Sequence, residues 1–265
     1  MKLLHQVRAV KSKKELANII KAQRISERVL QYTVVKLRLG VTELAIAGFV
    51  TNRFKKYGAP ILSFSPIVSF GKNTANVHHK PGKTKLKRGD IVMLDFGCTV
   101  NHYCSDMTRT FFAGEPTKRQ KKIYLDVLKA QKKALEKIKS GERRAKVIDK
   151  AARNFLTQKH KAKSFPHGLG HGIGTVIHEW PNFKPKSEDV LPVGCVMTVE
   201  PGLYFRDSRR RQGFGGQGGF GVRIEDMVLI TKKGLKNLTN FPKDLESAIL
   251  PGLVPFKIQR TGRKK

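Results

Sequence analysis

The sequence predicts an α+β fold in which two similar halves follow each other within one domain. Each half begins with a long amphipathic helix that ends at a glycine, Gly40 or Gly141, and continues with a shorter helix. Apolar, strand-like stretches follow in both halves, and Asp, Glu or His residues lie within or beside them. This repeated order of elements indicates an internal duplication.

The first half is predicted to begin with a helix over residues 11–39. Ser12 and Glu15 form a capping-box pair at its start, and apolar residues recur at helical spacing along it. A second helix is predicted over residues 42–57. Strand-like stretches follow at residues 61–70, 91–99 and 103–113. A hairpin turn at residues 100–102 would bring the end of the last stretch back beside the one before it.

The second half repeats this order. Thr117 and Gln120 form another capping-box pair, and the helix that they open is predicted to reach Ser140. A shorter helix is predicted over residues 145–160. The strands after it carry His171, Glu200 and Glu225.

The domain organisation predicted is one large domain over residues 11–250, with a short lead over residues 1–10. Residues 206–221 form an insertion rich in glycine and arginine, which is typical of a surface loop and, as an alternative, of an RGG-like contact with nucleic acid. Residues 251–265 form a basic tail.

The chain is strongly basic, with 53 Lys and Arg against 20 Asp and Glu in 265 residues and a formal net charge of +33. Such a field attracts polyanions without regard to sequence. The basic residues are scattered, however, and no aromatic residues alternate with them along the chain as in a single-strand binder. Specific binding to nucleic acid or ribosomes is therefore not predicted.

The sequence favours a cytoplasmic protein. No stretch approaches the roughly 20 consecutive apolar residues of a membrane span, and the first residues are too polar for a secretory signal. The three cysteines, which a cytosolic protein keeps as thiols, lack the spacing of a zinc site. They are Cys98, Cys104 and Cys195.

Five residues of types that bind hard metal ions stand in or beside the apolar stretches: Asp95, Asp106, His171, Glu200 and Glu225. Burying an unpaired charge costs several kcal/mol or more. Four carboxylates in apolar surroundings therefore need a shared counter-charge, and two divalent cations supply it. Each residue taken singly has an ordinary alternative, such as a salt bridge between Asp106 and Arg109.

Five segments together resemble the pita-bread metallopeptidases, in particular the Xaa-Pro aminopeptidase and prolidase branch: SFGKNTANVHHKPG, LDFGCTVNHYCSDMTRTF, FPHGLGHGIGTVIHEWP, TVEPGLY and GVRIEDM. The resemblance covers about residues 11–250 and implies the pita-bread fold with its pseudo-two-fold duplication. The related methionine aminopeptidases share the five ligands but usually lack the Arg-Ile-Glu-Asp run at residues 223–226. Typical proline-specific relatives carry an additional N-terminal domain, whereas about ten residues precede the domain here.

The resemblance implies a role for each ligand. Asp106 and Glu225 would bridge two metal ions, Asp95 would complete the shell of one ion, and His171 with Glu200 that of the other. Glu200 is also the expected general base. Sites rich in carboxylates with one imidazole suit Mn, with Co, Fe or Zn as substitutes.

The resemblance also places three histidines in the active site that are not metal ligands, His78, His167 and His178, and the position of Arg223 two residues before Glu225 adds a fourth candidate. His178 is expected to stabilise the negative charge that develops on the scissile carbonyl oxygen, and His78 to contact the proline side of the bond. Arg223 is expected to anchor a metal carboxylate or the substrate terminus from the strand face of Glu225. His79 is expected to point away, because side chains alternate along a strand.

The predicted function is hydrolysis of the Xaa-Pro bond, at the N-terminus of peptides or in Xaa-Pro dipeptides, by a metal-activated water. Removal of the initiator methionine is the alternative reaction. An alternative from another class is a non-catalytic pita-bread module that binds ribosomes or RNA. The expected partners are small peptides with proline at the second position, and the sequence leaves the oligomeric state open, a monomer included.

Overall fold

The structure is a computed structural model, which describes residues 2–206 and 219–250, with side chains from residue 6 onward. These residues contain five α-helices, α1 (Lys2–Ala9), α2 (Lys13–Lys36), α3 (Glu43–Lys56), α4 (Lys118–Lys139) and α5 (Ala145–Lys159), and two 3₁₀ turns at Gly71–Ala75 and Ala162–Ser164. Both predicted long helices and both shorter ones are present, with ends within three residues of the predicted positions.

The helix ends follow from the residues that the sequence places there. Both capping boxes form: Ser12 pairs reciprocally with Glu15 at the start of α2, and Thr117 with Gln120 at the start of α4. Each pair satisfies backbone N–H groups that have no partner within the helix. Gly141 follows α4 with a φ of 95°, a left-handed conformation that glycine adopts without strain.

Twelve strands are described in these residues: β1 (Ile67–Phe70), β2 (Ile91–Asp95), β3 (Thr99–Val100), β4 (Tyr103–Cys104), β5 (Thr108–Phe112), β6 (Gly170–Gly172), β7 (Glu179–Phe183), β8 (Val196–Val199), β9 (Gly202–Phe205), β10 (Phe220–Arg223), β11 (Asp226–Thr231) and β12 (Gly234–Asn237). The first half forms a sheet of order β1-β2-β5, and the second half one of order β12-β11-β8-β6-β7. The pairs β9-β10 and β3-β4 form two-stranded sheets.

The predicted strands of the first half are longer than the observed ones. Only residues 67–70 of the predicted 61–70 form a strand, because Pro66 lacks the N–H that a sheet ladder needs. The stretch 91–99 divides into β2 and β3 around Gly97, whose backbone passes so close to Ser105 that an added Cβ would lie 1.8 Å from the carbonyl oxygen of that residue. The stretch 103–113 divides into β4 and β5.

The predicted hairpin turn is confirmed between β3 and β4. Asn101 and His102 have φ angles of 47° and 69°, the left-handed conformation that a tight two-residue turn requires. The chain therefore folds back on itself, and Asp106, just after β4, returns to the side of Asp95 at the end of β2.

Basic side chains of α2 and α3 pack over aromatic rings of the opposite helix. The Arg28 guanidinium lies 4.5 Å from the centre of the Tyr57 ring, and that of Arg53 lies 5.0 Å from the Tyr32 ring. Basic and aromatic residues that are far apart in the sequence are thus brought into contact by the fold. Part of the large positive charge stabilises this helix pair through cation–π contacts.

Three of the predicted segments, the lead, the insertion and the tail, can be compared with the described residues. The lead over residues 1–10 contains α1, and Arg8 donates a hydrogen bond of 3.1 Å to Glu179, the first residue of β7. The last two residues of the predicted insertion 206–221 belong to β10, while residues 207–218 and the tail 251–265 lie outside the described residues. Among the described helices, none has the length and apolar character that crossing a bilayer requires.

Candidate metal centre and active site

A cavity of about 680 Å³ opens between the two halves and collects every residue that the sequence analysis placed in the site. Its lining includes Asp95, Asp106, His171, Glu200 and Glu225, together with His78, His167, His178 and Arg223. The carboxylates of the first half reach it from the ends of β2 and β4, and the residues of the second half from β6, β8 and β10. The site therefore exists only where the halves meet.

Three of the five predicted ligands form a tight cluster. One ligand atom each from Asp106, His171 and Glu225 lies within 4.8 Å of the other two, and all three residues are buried. The Nε2 atom of His171 lies 3.7 Å from Asp106 Oδ2 and 3.3 Å from Glu200 Oε1. A single imidazole nitrogen surrounded by carboxylate oxygens is a donor set that suits divalent cations.

The His171 ring is oriented for metal binding. Its Nδ1 atom lies 3.0 Å from the carbonyl oxygen of Gly172, so a proton on Nδ1 leaves the Nε2 lone pair facing the carboxylates. Its backbone N–H donates to the Thr198 hydroxyl at 3.0 Å, and that hydroxyl donates to Glu200 at 3.2 Å. Gly170 allows this approach, since an added Cβ would lie 2.2 Å from the carbonyl oxygen of Thr198.

Two buried carboxylate oxygens have no hydrogen-bond partner in the described structure, Asp95 Oδ1 and Glu225 Oε1. Buried polar atoms in native proteins nearly always have a partner. Both of these oxygens belong to predicted metal ligands that line the cavity and not to isolated acids elsewhere in the described chain. The unmatched oxygens thus fit a site that cations complete.

Burial and mutual repulsion act on the same carboxylates. Burial raises the pKa of Asp95, and it raises the pKa values of Asp106 and Glu225 well above their ordinary values, with the charges of neighbouring acids adding to the effect. Burial also raises the pKa of Glu200, but the hydrogen bond and charge of His171 outweigh it and lower that pKa to about 2. Cations would relieve the repulsion among these acids.

A chain of hydrogen bonds links Arg223 to Asp95, a predicted metal ligand, and to His167. Arg223 Nη2 donates to Asp95 Oδ2 at 2.5 Å, and Nη1 donates to the Tyr204 hydroxyl at 2.7 Å. The Tyr204 oxygen lies 3.1 Å from His167 Nε2, whose pKa burial lowers to about 4, so this imidazole accepts from the tyrosine. Arg223 ends β10, while Glu225 lies beyond that strand, so the predicted common strand face is wrong.

Histidines from both halves face the cavity. The His178 and His171 rings lie edge to face with their centres 4.3 Å apart. Burial is the largest cause that lowers the pKa of His178, and the positive charges of His171 and Lys184 lower that pKa further. The expectation that His79 points away from the site is wrong. Residues 78–79 are not in a strand, so the alternation of side chains does not apply, and His79 also lines the cavity.

His79 instead belongs to a network around Glu43, a residue that the sequence analysis missed. The Glu43 side chain is fully buried, and its Oε2 atom lies 2.9 Å from His79 Nε2 and accepts from Gly82 N at 3.0 Å. Its Oε1 atom accepts from Phe70 N and Asn73 Nδ2, both at 2.8 Å. One carboxylate therefore holds the loop that carries His78. Its position in the first turn of α3 resembles an ordinary helix-dipole contact in the sequence.

A second network, also missed, holds the glycine-rich segment before β6. Arg153 on α5 donates to the carbonyl oxygens of Phe165 at 3.0 Å and His167 at 2.7 Å. Asp149, one turn earlier, pairs with Arg153 at 2.7 Å and accepts from Leu169 N at 3.1 Å. The i, i+4 spacing of the acid and the arginine was the available signal, but it is equally typical of a surface ion pair.

The salt-bridge alternative for Asp106 is wrong. Arg109 is buried and pairs with Asp226 at 2.8 Å, and Lys243 pairs with the same carboxylate. Asp226 therefore has two basic partners, while the Glu225 carboxylate beside it accepts a hydrogen bond from the Thr108 hydroxyl at 2.8 Å. The two adjacent acids thus lie in different environments: Asp226 forms the buried ion pair, and Glu225 lines the cavity.

Comparison with known proteins identifies the family to which the chain belongs. Residues 17–232 match the profile of metallopeptidase family M24, and the chain belongs to this family. An X-Pro aminopeptidase from Thermotoga maritima MSB8 is 35% identical with a TM-score of 0.84, over 96% of this chain and 67% of that one. An Xaa-Pro dipeptidase from Bacillus anthracis is 34% identical with a TM-score of 0.83, over 94% and 66%.

Two further relatives are similar to this chain over comparable shares of their length. A prolidase from Pyrococcus furiosus is 36% identical with a TM-score of 0.82, over 91% of this chain and 68% of that one. An uncharacterized peptidase of Staphylococcus aureus (strain USA300) is 38% identical over 240 residues, which are 91% of this chain and 65% of that protein. The chain thus spans about two thirds of the length of its relatives. The predicted pita-bread fold is confirmed, and the family with the buried cluster supports divalent metal ions at the site.

Proposed function

We propose that this chain is a metal-dependent exopeptidase that hydrolyses the Xaa-Pro bond, at the N-terminus of peptides or in Xaa-Pro dipeptides. The observation that carries the proposal is the convergence of five metal-type side chains in one cavity, with two buried carboxylate oxygens left without partners. The solved relatives named as Xaa-Pro aminopeptidase, Xaa-Pro dipeptidase and prolidase support the same reaction class.

Two divalent ions, with Mn the favoured identity, would be held by Asp95, Asp106, His171, Glu200 and Glu225. Bound there, they would supply an activated water as nucleophile and polarise the scissile carbonyl group. Four carboxylates match the total charge of two dications, which accounts for so many buried acids in a chain this basic. Arg223 holds Asp95 in place through its short ion pair.

The protein groups around the ligands have separate tasks in this proposal. Glu200 takes the proton released by the attacking water and passes it to the leaving nitrogen, a role that its ionised carboxylate inside the cavity allows. His178 donates a hydrogen bond to the carbonyl oxygen as negative charge develops there. His78 contacts the proline side of the bond. His167, held neutral by Tyr204 and burial, shapes the opposite wall.

Proline specificity has a physical basis at such a site. An Xaa-Pro bond has no amide hydrogen, and the ring is a compact apolar wedge. Peptidases that hydrogen-bond the amide hydrogen lose that contact with proline, whereas an apolar wall accepts the ring. Apolar residues also line this cavity, among them Phe64, Pro66, Ile67 and Ile177.

The test is hydrolysis of Ala-Pro and Ala-Pro-Ala by Mn-loaded protein, compared with a Glu200→Gln variant and with metal content measured in both. We expect turnover by the parent protein and a loss of at least 100-fold in kcat for the variant. Met-Ala-Ser as a third substrate separates the proposal from initiator-methionine removal. Hydrolysis of Met-Ala-Ser alone, or equal rates in parent and variant, would overturn it.

A further inference from the structure

The segment that carries His178 forms neither a helix nor a strand. The described residues 173–178 connect β6 to β7, and Ile177 and His178 at the end of this connection line the cavity. The pairing of β6 with β7 is irregular beside the connection, with a register shift between His171 and Gly172. The hydrogen-bond ladder of the two strands therefore does not by itself fix the position of His178.

The carboxylate of Glu179 folds this connection into a compact turn. Its Oε1 atom accepts hydrogen bonds from Val176 N at 3.1 Å and from the Thr175 hydroxyl at 3.4 Å. Both carboxylate oxygens lie against Gly174, where an added Cβ would be 2.4 Å and 2.6 Å from them, so a side chain there would displace the carboxylate. Because Glu179 directly follows His178, the turn that its carboxylate closes determines where the histidine lies.

The Glu179 carboxylate is held in turn by the N-terminal segment of the chain. Lys11 Nζ donates to Glu179 Oε2 at 2.9 Å and to the carbonyl oxygen of Arg8 at 3.0 Å. The Arg8 guanidinium donates to Glu179 Oε1 at 3.1 Å and also to the Thr175 hydroxyl. The Lys11 side chain is 2% exposed and that of Glu179 is 8% exposed, so their ion pair lies inside the protein.

The backbone of this N-terminal segment is fixed to the sheet of the second half. Lys11 N donates to the carbonyl oxygen of Gly194 at 2.9 Å, and Val10 forms an antiparallel bridge with Cys195, immediately before β8. Lys11 thus joins an anchored backbone to the carboxylate of Glu179.

The buried ion pair is better explained by geometry than by stability. Both charges lose their water on burial, and apolar residues of the same volume usually stabilise a protein at least as well. The pair does restrict orientation, because donors approach both oxygens of the carboxylate and one arrangement satisfies all of them.

We propose that Glu179 is a positioning residue: its carboxylate, clamped by Lys11 and Arg8, holds the turn that places His178 for the reaction. Residues 1–10, which the sequence analysis set before the catalytic domain, thereby support the active site. The inference rests on the proposed function for the task of His178, which is to donate a hydrogen bond to the carbonyl oxygen as negative charge develops there. Misplacing such a group by about 1 Å can lower the rate about 100-fold.

The test replaces the buried pair by apolar side chains of similar length, in the variant Lys11→Met/Glu179→Met. The matched control is Lys146→Met/Glu188→Met, which removes an exposed pair of the same residue types. We expect the buried-pair variant to lower kcat on Ala-Pro about 10- to 100-fold at a nearly unchanged KM. Its Mn affinity and its urea midpoint should stay close to those of the parent. The control should match the parent in all four measurements.

A milder variant, Arg8→Met, covers the case in which the buried-pair variant does not fold. The Arg8 side chain is 49% exposed, so its replacement leaves the interior intact and removes one clamp on Glu179. We expect kcat to fall about threefold, in line with the weakness of exposed ion pairs.

A double-mutant cycle with His178 separates positioning from general stability. In a His178→Ala background, adding the two Met substitutions should lower kcat by no more than about twofold, because the group that they misplace is already absent. A loss as large as in the parent background would overturn the inference. An unchanged kcat in the folded buried-pair variant would overturn it as well.

Hydrogen exchange measured by mass spectrometry reports on the turn without any turnover. The amides of residues 173–178 should exchange about tenfold faster in the buried-pair variant and at the parent rate in the control. Equal exchange in all three proteins would overturn the inference. Absence of hydrolysis by the parent would refute the proposed function alone, and the exchange rates would then decide whether the N-terminal segment holds the turn.

Discussion

Replacing Glu43 by glutamine is expected to destabilise the protein and to disturb the active site together. The carboxylate is fully buried and accepts four hydrogen bonds, two on each oxygen. Glutamine keeps one oxygen and places an NH₂ group where the other was. Two donors then face a donor: either Phe70 N and Asn73, or His79 and Gly82.

The magnitude follows from the lost bonds. A hydrogen bond to a charged group contributes about 1.5–3 kcal/mol, and an unsatisfied buried donor costs a similar amount. Two lost bonds give a decrease of about 3–6 kcal/mol in the free energy of unfolding, which leaves most domains within the usual stability range of about 5–15 kcal/mol folded. The matched control is Glu188→Gln, since that side chain is 80% exposed in its pair with Lys146 and should change the free energy by less than about 1 kcal/mol.

The assays are urea unfolding and steady-state kinetics on Ala-Pro at equal concentrations of folded protein. Loosening of the loop that Glu43 holds should lower kcat/KM about tenfold or more, because the position of His78 depends on that loop. A free energy of unfolding within 1 kcal/mol of the parent would refute the account of the network. A large loss of stability with unchanged kinetics would refute its connection to the site.

Two further predictions concern the second half of the chain. Gly170→Ala places a Cβ 2.2 Å from the Thr198 carbonyl oxygen, so β6 must move away from β8 and carry His171 with it. We expect the variant to bind Mn more weakly in calorimetry. An affinity equal to that of the parent would contradict this. Asp226→Asn tests pH dependence. Burial raises the pKa of Asp226, but the charges of Arg109 and its other basic partner outweigh burial and lower it, so the stabilisation is present above about pH 4 and is lost as the pH falls through the folded-state pKa. The difference in unfolding free energy between parent and variant should thus be larger at pH 6 than at pH 3, and a constant difference would contradict the ion-pair account.

Local patterns in the sequence predicted the helices well, because the signals for them are local. The capping boxes at Ser12 and Thr117 and the terminating glycine Gly141 act within one helical turn, so the sequence contains the whole interaction. The strands were harder, since their ends depend on close approaches between distant backbones. Gly97 meeting Ser105 divides a continuous apolar run, and nothing in that run alone marks the division.

The site was predictable to the extent that its residues are exceptional for their surroundings. A carboxylate such as Asp95 in an apolar strand stands out in any sequence, and five such residues indicated a shared function. Supporting residues do not stand out. Glu43, Asp149 and Tyr204 have side chains that fit ordinary helices and strands, and their roles follow from tertiary contacts with segments up to 39 residues away.

The position of the ligands on both halves links metal binding to the integrity of the fold. Asp95 and Asp106 belong to the first half and His171, Glu200 and Glu225 to the second, and the unmatched oxygens of Asp95 and Glu225 lie on opposite sides of the junction. Burial and repulsion raise the pKa values of three of these acids, so their charged forms are unfavourable at this junction unless cations balance them. Cations that bind only the folded chain would stabilise it by mass action. We therefore expect metal binding at this junction to stabilise the folded chain as well as to serve the proposed reaction.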